Sequence, residues 1–281
     1  MSDNQPIQVV IAAGGLGTRV HAWSRYLPKE FLPVDGQPGI IHVLEEIAQL
    51  GPAHVVIVYN PYYEVFAAWA RQALSRYGKA RYQRAARLRH PEPDGMPGML
   101  VEFIAQDGPY ADLTSINNGA DHFAKTTSTH VLYTAFADNL YRGNNPMLLL
   151  RDAPTTAPAV LARPYQSDHA GSRGVIISRA SSAGHLMTGL VEKPGPTAAQ
   201  LLERNHGTDN LFLLEGRARL TMDFIDFARA YRGPTDTEPK LALALGIYAR
   251  THPVIVIPTN ADVTDLGLPH VPADSSGRRI A

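Results

Sequence analysis

Short apolar runs alternate with longer stretches of helical spacing through the first half of the chain. Ile7–Ala12 is apolar except for Gln8, the pattern of a strand buried on both faces. Ile40–Leu50 then sets Ile41, Val43, Leu44, Ile47 and Leu50 on a helical stripe, and Gly51-Pro52 stops it. His54–Tyr59, Met99–Ala105 and His130–Phe136 read as further strands. Tyr63–Tyr77 reads as a helix, and another is expected around Asn117–Lys125. From Ala157 the strand-like runs come closer together: Ala159–Arg163, Gly174–Ser178, Leu186–Glu192 and Asp209–Leu214. Helices over Thr221–Tyr231 and Glu238–Ala249 and a strand over Val254–Pro258 follow.

This alternation predicts an α/β fold: a Rossmann-like mixed, mostly parallel sheet flanked by helices. Arg81–Gly98 breaks the pattern with four arginines followed by prolines and glycines and reads as an exposed excursion. A single domain is expected over 1–268, with a tail at 269–281. It divides into halves at about 1–140 and about 155–268.

Bulk composition narrows the function little. Twenty-six basic residues balance 26 acidic ones, so no net field favours nucleic acid or a membrane surface. The chain has no cysteine, which excludes disulfides, thiolate metal sites and a cysteine nucleophile. No apolar run is long enough to span a bilayer. Met1–Pro6 is polar and the apolar run after it ends in glycines, so a cytoplasmic protein without a signal peptide is expected.

The candidate chemistry begins where the first strand ends. Ala13-Gly14-Gly15-Leu16-Gly17-Thr18-Arg19 is a glycine-rich loop closing in a cation, and Pro28-Lys29-Glu30-Phe31-Leu32-Pro33 follows. Glycines let backbone N–H groups close on phosphate oxygens, and an arginine and a lysine neutralise them. The dinucleotide fingerprint is missing its third glycine, and the Gly-Lys-Ser/Thr of a Walker A loop is absent.

Together these two segments resemble the sugar-1-phosphate nucleotidyltransferases, and most of all the bacterial UTP–glucose-1-phosphate uridylyltransferases. The resemblance runs from about Ile7 to about Leu268. It includes Gln106 and Asn118-Gly119-Ala120, Ala137-Asp138, Gly174-Val175-Ile176, Val191-Glu192-Lys193-Pro194, Asn210-Leu211 with Gly216-Arg217, and Asp265-Leu266-Gly267.

It implies the nucleotide-diphospho-sugar transferase type of fold and a Mg²⁺-dependent transfer from a nucleoside triphosphate to a sugar-1-phosphate. UTP and glucose-1-phosphate are the default pair. The same chemistry with dTTP or CTP and a modified sugar phosphate is one alternative, and a non-catalytic nucleotide-sugar-binding regulator is another. The catalytic residues would be Arg19, Lys29 and Lys193. Ala13, Gly14, Gly15, Gly17, Thr18, Gln106 and Gly119 would bind nucleotide. Gly174, Glu192, Lys193 and Asn210 would bind the sugar phosphate. Asp138 and Asp265 would hold Mg²⁺, with Asp262 the rival for the second place. No nucleic acid or membrane partner is implied, and a homo-oligomer is an option. Two segments depart from the family's usual pattern: Ser115–Gly119, and Pro239-Lys240-Leu241-Ala242, where a Gln-Leu-Thr-Asp stretch is usual.

Overall fold

The computed structural model describes residues 6–18, 24–74, 99–125, 130–182, 184–233 and 238–267. In chain order its strands are β1 (Ile7–Ala13), β2 (Pro33–Val34), β3 (Gln37–Pro38), β4 (Ala53–Tyr59), β5 (Met99–Ala105), β6 (Val131–Phe136), β7 (Asn139–Arg142), β8 (Ala159–Pro164), β9 (Gly174–Ser181), β10 (Gly184–Glu192), β11 (Leu211–Thr221), β12 (Ile255–Pro258) and β13 (Asp262–Asp265). Its helices are α1 (Gly39–Ala48), α2 (Glu64–Leu74), α3 (Asp112–Ala124), α4 (Pro146–Asp152), α5 (Ser167–Ala170), α6 (Pro196–His206), α7 (Met222–Ala230) and α8 (Leu241–Tyr248).

The main sheet has the order β5-β4-β1-β6-β11-β8-β12-β10-β9. β5, β4, β1 and β6 run parallel. Beyond β6 the pairing is largely antiparallel, because β11 returns against both β6 and β8 and β9–β10 is a hairpin. The sheet is mixed, as expected, with its parallel pairings in β5-β4-β1-β6 and between β8 and β12. β1 shows why its sequence is apolar apart from Gln8. Val9 and Ile11 enter a core with α1 and α4, while Val10 enters a second core with α3, α7 and α8. Both faces of the strand are covered, which favours apolar residues on each.

Most predicted elements are present within a few residues. The pattern missed the hairpin β2–β3, the helices α4, α5 and α6, the ribbon β7–β13 and the second half of β11. α4 is short, and both α4 and α6 begin on a proline at the first position. Asn145 caps α4 by accepting from the Met147 N–H. At the other end of α4, the buried guanidinium of Arg219 donates to the carbonyls of Leu150 and Ala153 at 2.7 Å each. That cation satisfies the carbonyls the helix terminus leaves open. The Arg81–Gly98 excursion and the tail lie outside the described residues. Among those described, no helix is long and apolar enough to cross a membrane.

Gly119 lies in α3 against β1. A Cβ there would fall 2.3 Å from Val10 Cγ2 and 2.7 Å from its Cγ1. Gly119→Ala should therefore destabilise the fold by about 1–3 kcal/mol through overpacking, measured by denaturant unfolding. An unchanged midpoint would contradict this close approach.

Candidate functional site

The C-terminal ends of β1, β4, β5 and β6 open on one edge of the sheet, where ligands gather in open parallel sheets. A cleft of about 320 Å³ lies there. One wall is the glycine loop, with Gly14, Gly15, Gly17 and Thr18 lining it. Gly17 has φ +59°, in the left-handed region that favours glycine. Side chains that sequence reasoning did not single out fix the loop from behind. Asn60 Nδ2 donates to the Gly14 carbonyl at 3.1 Å, Tyr63 donates to the Leu16 and Ser24 carbonyls, and the Leu16 N–H donates to the Tyr110 hydroxyl at 3.2 Å.

The cleft floor holds Lys29, Glu30 and Asp138. Lys29 Nζ makes a tight ion pair with Asp138 Oδ2 and lies 3.4 Å from Glu30 Oε1. Burial alone would depress the lysine's pKa, but the two carboxylates reverse this and raise it. Burial would likewise raise Asp138, but Lys29 overcomes that and holds its carboxyl below the usual range. Glu30 is 1% exposed and its Oε2 has no hydrogen-bond partner among the described residues. Desolvation, opposed by Lys29 and reinforced by the Asp138 charge, pushes it up to about 7.

Asp138 occupies the corner between β6 and β7. β13 pairs with β7 so that Asp265 stands opposite Asn139, and the Leu266 N–H donates to the Asp138 carbonyl at 2.8 Å. The ribbon thus brings a carboxylate from the far end of the chain to the same cleft. Asp265 Oδ1 accepts from the Gly267 N–H at 2.8 Å. Asp262 faces Arg142 at the other end of the ribbon and does not line the cleft. Asp138 and Asp265 offer hard oxygen donors in a locally acidic setting, a donor set that suits Mg²⁺.

The opposite wall comes from β9, β10 and β11. Glu192 and Lys193 both line the cleft, although consecutive strand residues should face opposite ways. Lys193 breaks the strand by adopting φ +48°, a conformation rare for a side chain with Cβ. Glu192 Oε1 lies 3.3 Å from Lys240 Nζ and 3.9 Å from Lys193 Nζ. β11 bulges between Leu214 and Ala218, which aims Glu215 and Gly216 at the cleft. The buried Glu215 accepts from Arg163, Arg173 and Tyr141.

The nucleotidyl transferase family model matches residues 8–224. The chain belongs to this nucleotidyl transferase family. A 56-residue stretch, 20% of the chain, is 40% identical to the bifunctional protein GlmU of Stenotrophomonas maltophilia (strain R551-3), and it spans only 12% of that relative's length. Among solved structures, a UDP-glucose pyrophosphorylase complexed with UDP-glucose superposes with a TM-score of 0.71 at 19% identity, covering 94% of each chain. The UTP-bound enzyme of Acinetobacter baumannii gives 0.67 at 17%, covering 94% of this chain and 90% of that one. An inositol-1-phosphate CTP transferase from T. maritima gives 0.66 at 13%, covering 94% and 90%. These likenesses establish the nucleotide-diphospho-sugar transferase fold.

Within this nucleotidyltransferase frame, the cleft gathers Gly14, Gly15, Gly17, Thr18, Lys29, Asp138, Gly174, Glu192, Lys193 and Asp265. Arg19 lies outside the described residues. Four expected residues stand elsewhere. Ala13 is buried in the core, and Ala12 lines the cleft instead. Gln106 lies behind the glycine loop, with both ends of its amide engaged: Nε2 donates to the Pro109 carbonyl at 2.9 Å and Oε1 accepts from Ser115 at 2.7 Å. A Cβ on Gly14 would meet Gln106 Oε1 at 2.2 Å, so this amide supports the loop from beneath. Gly119 is spent on packing against Val10. Asn210 donates to the His206 carbonyl at the end of α6, away from the cleft.

Glu30 generates a pH test. Its folded pKa of about 7 stands above its ordinary 4.5. The folded state therefore holds a proton between those values that the unfolded chain has released, and stability falls as pH rises through that window. Glu30→Gln should melt higher, relative to wild type, at pH 8 than at pH 5. An identical offset at both pH values would contradict the raised pKa.

Proposed function

We propose that this nucleotidyltransferase moves a nucleotidyl group from a nucleoside triphosphate to a sugar-1-phosphate, acting in the cytoplasm with Mg²⁺ as cofactor. UTP and glucose-1-phosphate are the favoured pair, and a homo-oligomer is compatible with the reading. The observation that carries it is the two-sided cleft, with a glycine loop, Lys29 and Asp138 on one side and Glu192, Lys193 and Gly174 on the other.

Both reactants are anions, so the protein must supply positive charge and alignment. In this reading the glycine-loop N–H groups and Arg19 hold the β- and γ-phosphates, and Lys29 approaches the α-phosphate. Lys193 holds the sugar phosphate and Glu192 accepts from a sugar hydroxyl. A sugar-phosphate oxygen forms a new bond to the α-phosphorus. The bond from that phosphorus to the α–β bridging oxygen breaks, and pyrophosphate leaves with the electron pair. The attacking phosphate is already ionised at neutral pH, so no general base is needed. Mg²⁺ bound by Asp138 and Asp265 would supply charge neutralisation at the transferring phosphate. Lys29 would then exchange its pairing with Asp138 for the α-phosphate.

A second reading keeps the chemistry and changes the substrates to dTTP or CTP with a modified sugar phosphate. It is favoured by Lys240, which occupies Glu192 on the sugar side, and by the engaged amide of Gln106. Pyrophosphate release across four nucleoside triphosphates and a panel of sugar-1-phosphates, with Mg²⁺, separates the readings. UTP with glucose-1-phosphate should give the highest kcat/KM, and a different best pair would favour the second reading. Nucleotide binding without release from any pair would favour a non-catalytic regulator. Lys29→Ala and Asp138→Asn should each lower kcat at least about 100-fold while circular dichroism stays unchanged. Near-wild-type rates in either variant would remove the assignment.

A further inference from the structure

His54, Glu102 and His122 form a second chemical cluster on the main sheet, outside the cleft. Their ligand atoms all lie within 4.8 Å of one another. His54 is near the start of β4, Glu102 is in the middle of β5, and His122 is in the last turn of α3. Both imidazoles direct Nε2 at the same carboxylate oxygen, Glu102 Oε2. His54 makes a tight contact and His122 lies at 3.0 Å. The rings are 80° apart, and His54 is braced edge-on by Phe123 with centroids 5.0 Å apart. Two imidazoles and a carboxylate thus converge on one point from three elements. None of the three lines the cleft.

We propose that these three side chains bind one borderline divalent transition-metal ion, with Zn²⁺ as the representative. Two imidazole nitrogens and one carboxylate oxygen are a recurrent donor set for such ions. Zn–N and Zn–O bonds of about 2.0–2.2 Å place tetrahedral ligands roughly 3.4 Å apart. The three ligand atoms are already grouped closely enough for one ion, and the Glu102 side chain, 39% exposed, can swing outward to admit it. The half-open position leaves the fourth site to water. The two histidine donors are borderline ligands, which disfavours Mg²⁺ and separates this site from the hard-oxygen pair at the cleft.

The ion would clip the C-terminal end of α3 to β4 and β5. The opposite end of α3 carries Ala111, Asp112 and Ser115 into the cleft, and Asp112 Oδ1 caps α8 by accepting from the Leu241 N–H at 2.8 Å. The ion would therefore act on the rigidity of a helix shared with the cleft.

Isothermal titration of the chelator-treated full-length protein with ZnCl₂ at pH 7.5, in a buffer containing excess MgCl₂, tests this. A single saturable equivalent is expected, together with a rise in melting temperature. Co²⁺ should give the visible absorption of a four-coordinate site. His122→Ala should weaken Zn²⁺ binding by at least about 100-fold, beyond the cost of losing an outer-shell partner. Glu102→Gln, a change at an exposed side chain, provides a second variant if His122→Ala is unstable, and it should also lose the tight equivalent. Asp138→Asn should retain it. Absence of saturable Zn²⁺ binding would overturn the proposal. So would equal binding by wild type and Glu102→Gln, or loss of binding in Asp138→Asn.

Discussion

The corner that presents Asp138 depends on a buried ion pair. Arg217 is 1% exposed and lies in the bulge of β11. Its Nε and Nη2 grip both carboxylate oxygens of Glu46 in α1 at 2.9 and 2.7 Å. Nη1 donates to the carbonyls of Phe136 and Gly216, and Nη2 donates also to that of Asn139. All five guanidinium donors are used, and Tyr141 lies against the face of the group at 4.8 Å. Phe136 and Asn139 flank Ala137-Asp138, so the arginine holds both arms of the turn that carries the aspartate. A buried pair of this kind adds little net stability, but losing one partner costs several kcal/mol because a charge is stranded.

Neighbouring features share this node. Gly216 has no room for a Cβ, which would sit 2.5 Å from Asn139 Oδ1. Glu215, one residue before it, anchors Arg163, Arg173 and Tyr141, so the same bulge serves the Asp138 corner and the opposite wall of the cleft. Charges lining the cleft are held in opposed pairs, Lys29 with Asp138 and Lys240 with Glu192. An anionic ligand entering the cleft would exchange partners within these two pairs, while the buried Arg217–Glu46 pair behind them stays fixed.

Much of this was legible in the sequence, for reasons that can be traced. β1, β4 and β6 are largely buried parallel strands, so their runs are predominantly apolar and their ends carry the motifs. Lys29, Asp138, Glu192 and Lys193 lie in short segments whose residue order is itself distinctive. What stayed hidden depends on contacts far apart in the chain. The β7–β13 ribbon is four residues a side and holds Asp265 by pairing alone. Gln106 and Gly119 sit in the motif segments, yet their chemistry is consumed by Ser115 and by Val10, partners no local pattern reveals. The left-handed Lys193, which turns two adjacent side chains to one side, is a tertiary outcome without a glycine to announce it. The donors behind the glycine loop, Asn60 and Tyr63, follow a strand and look like ordinary turn residues in the sequence.

Arg217 and Glu46 thus act as a pair that positions the Asp138 corner. A double-mutant cycle, Arg217→Met, Glu46→Met and both together, tests this with unfolding free energy and pyrophosphate release read in each variant. Each single change should cost about 3–5 kcal/mol. The double variant should recover a large part of that stability while turnover stays low, because the carbonyls of Phe136 and Asn139 have lost their donor. Additive stability losses, or wild-type turnover in the double variant, would contradict the account.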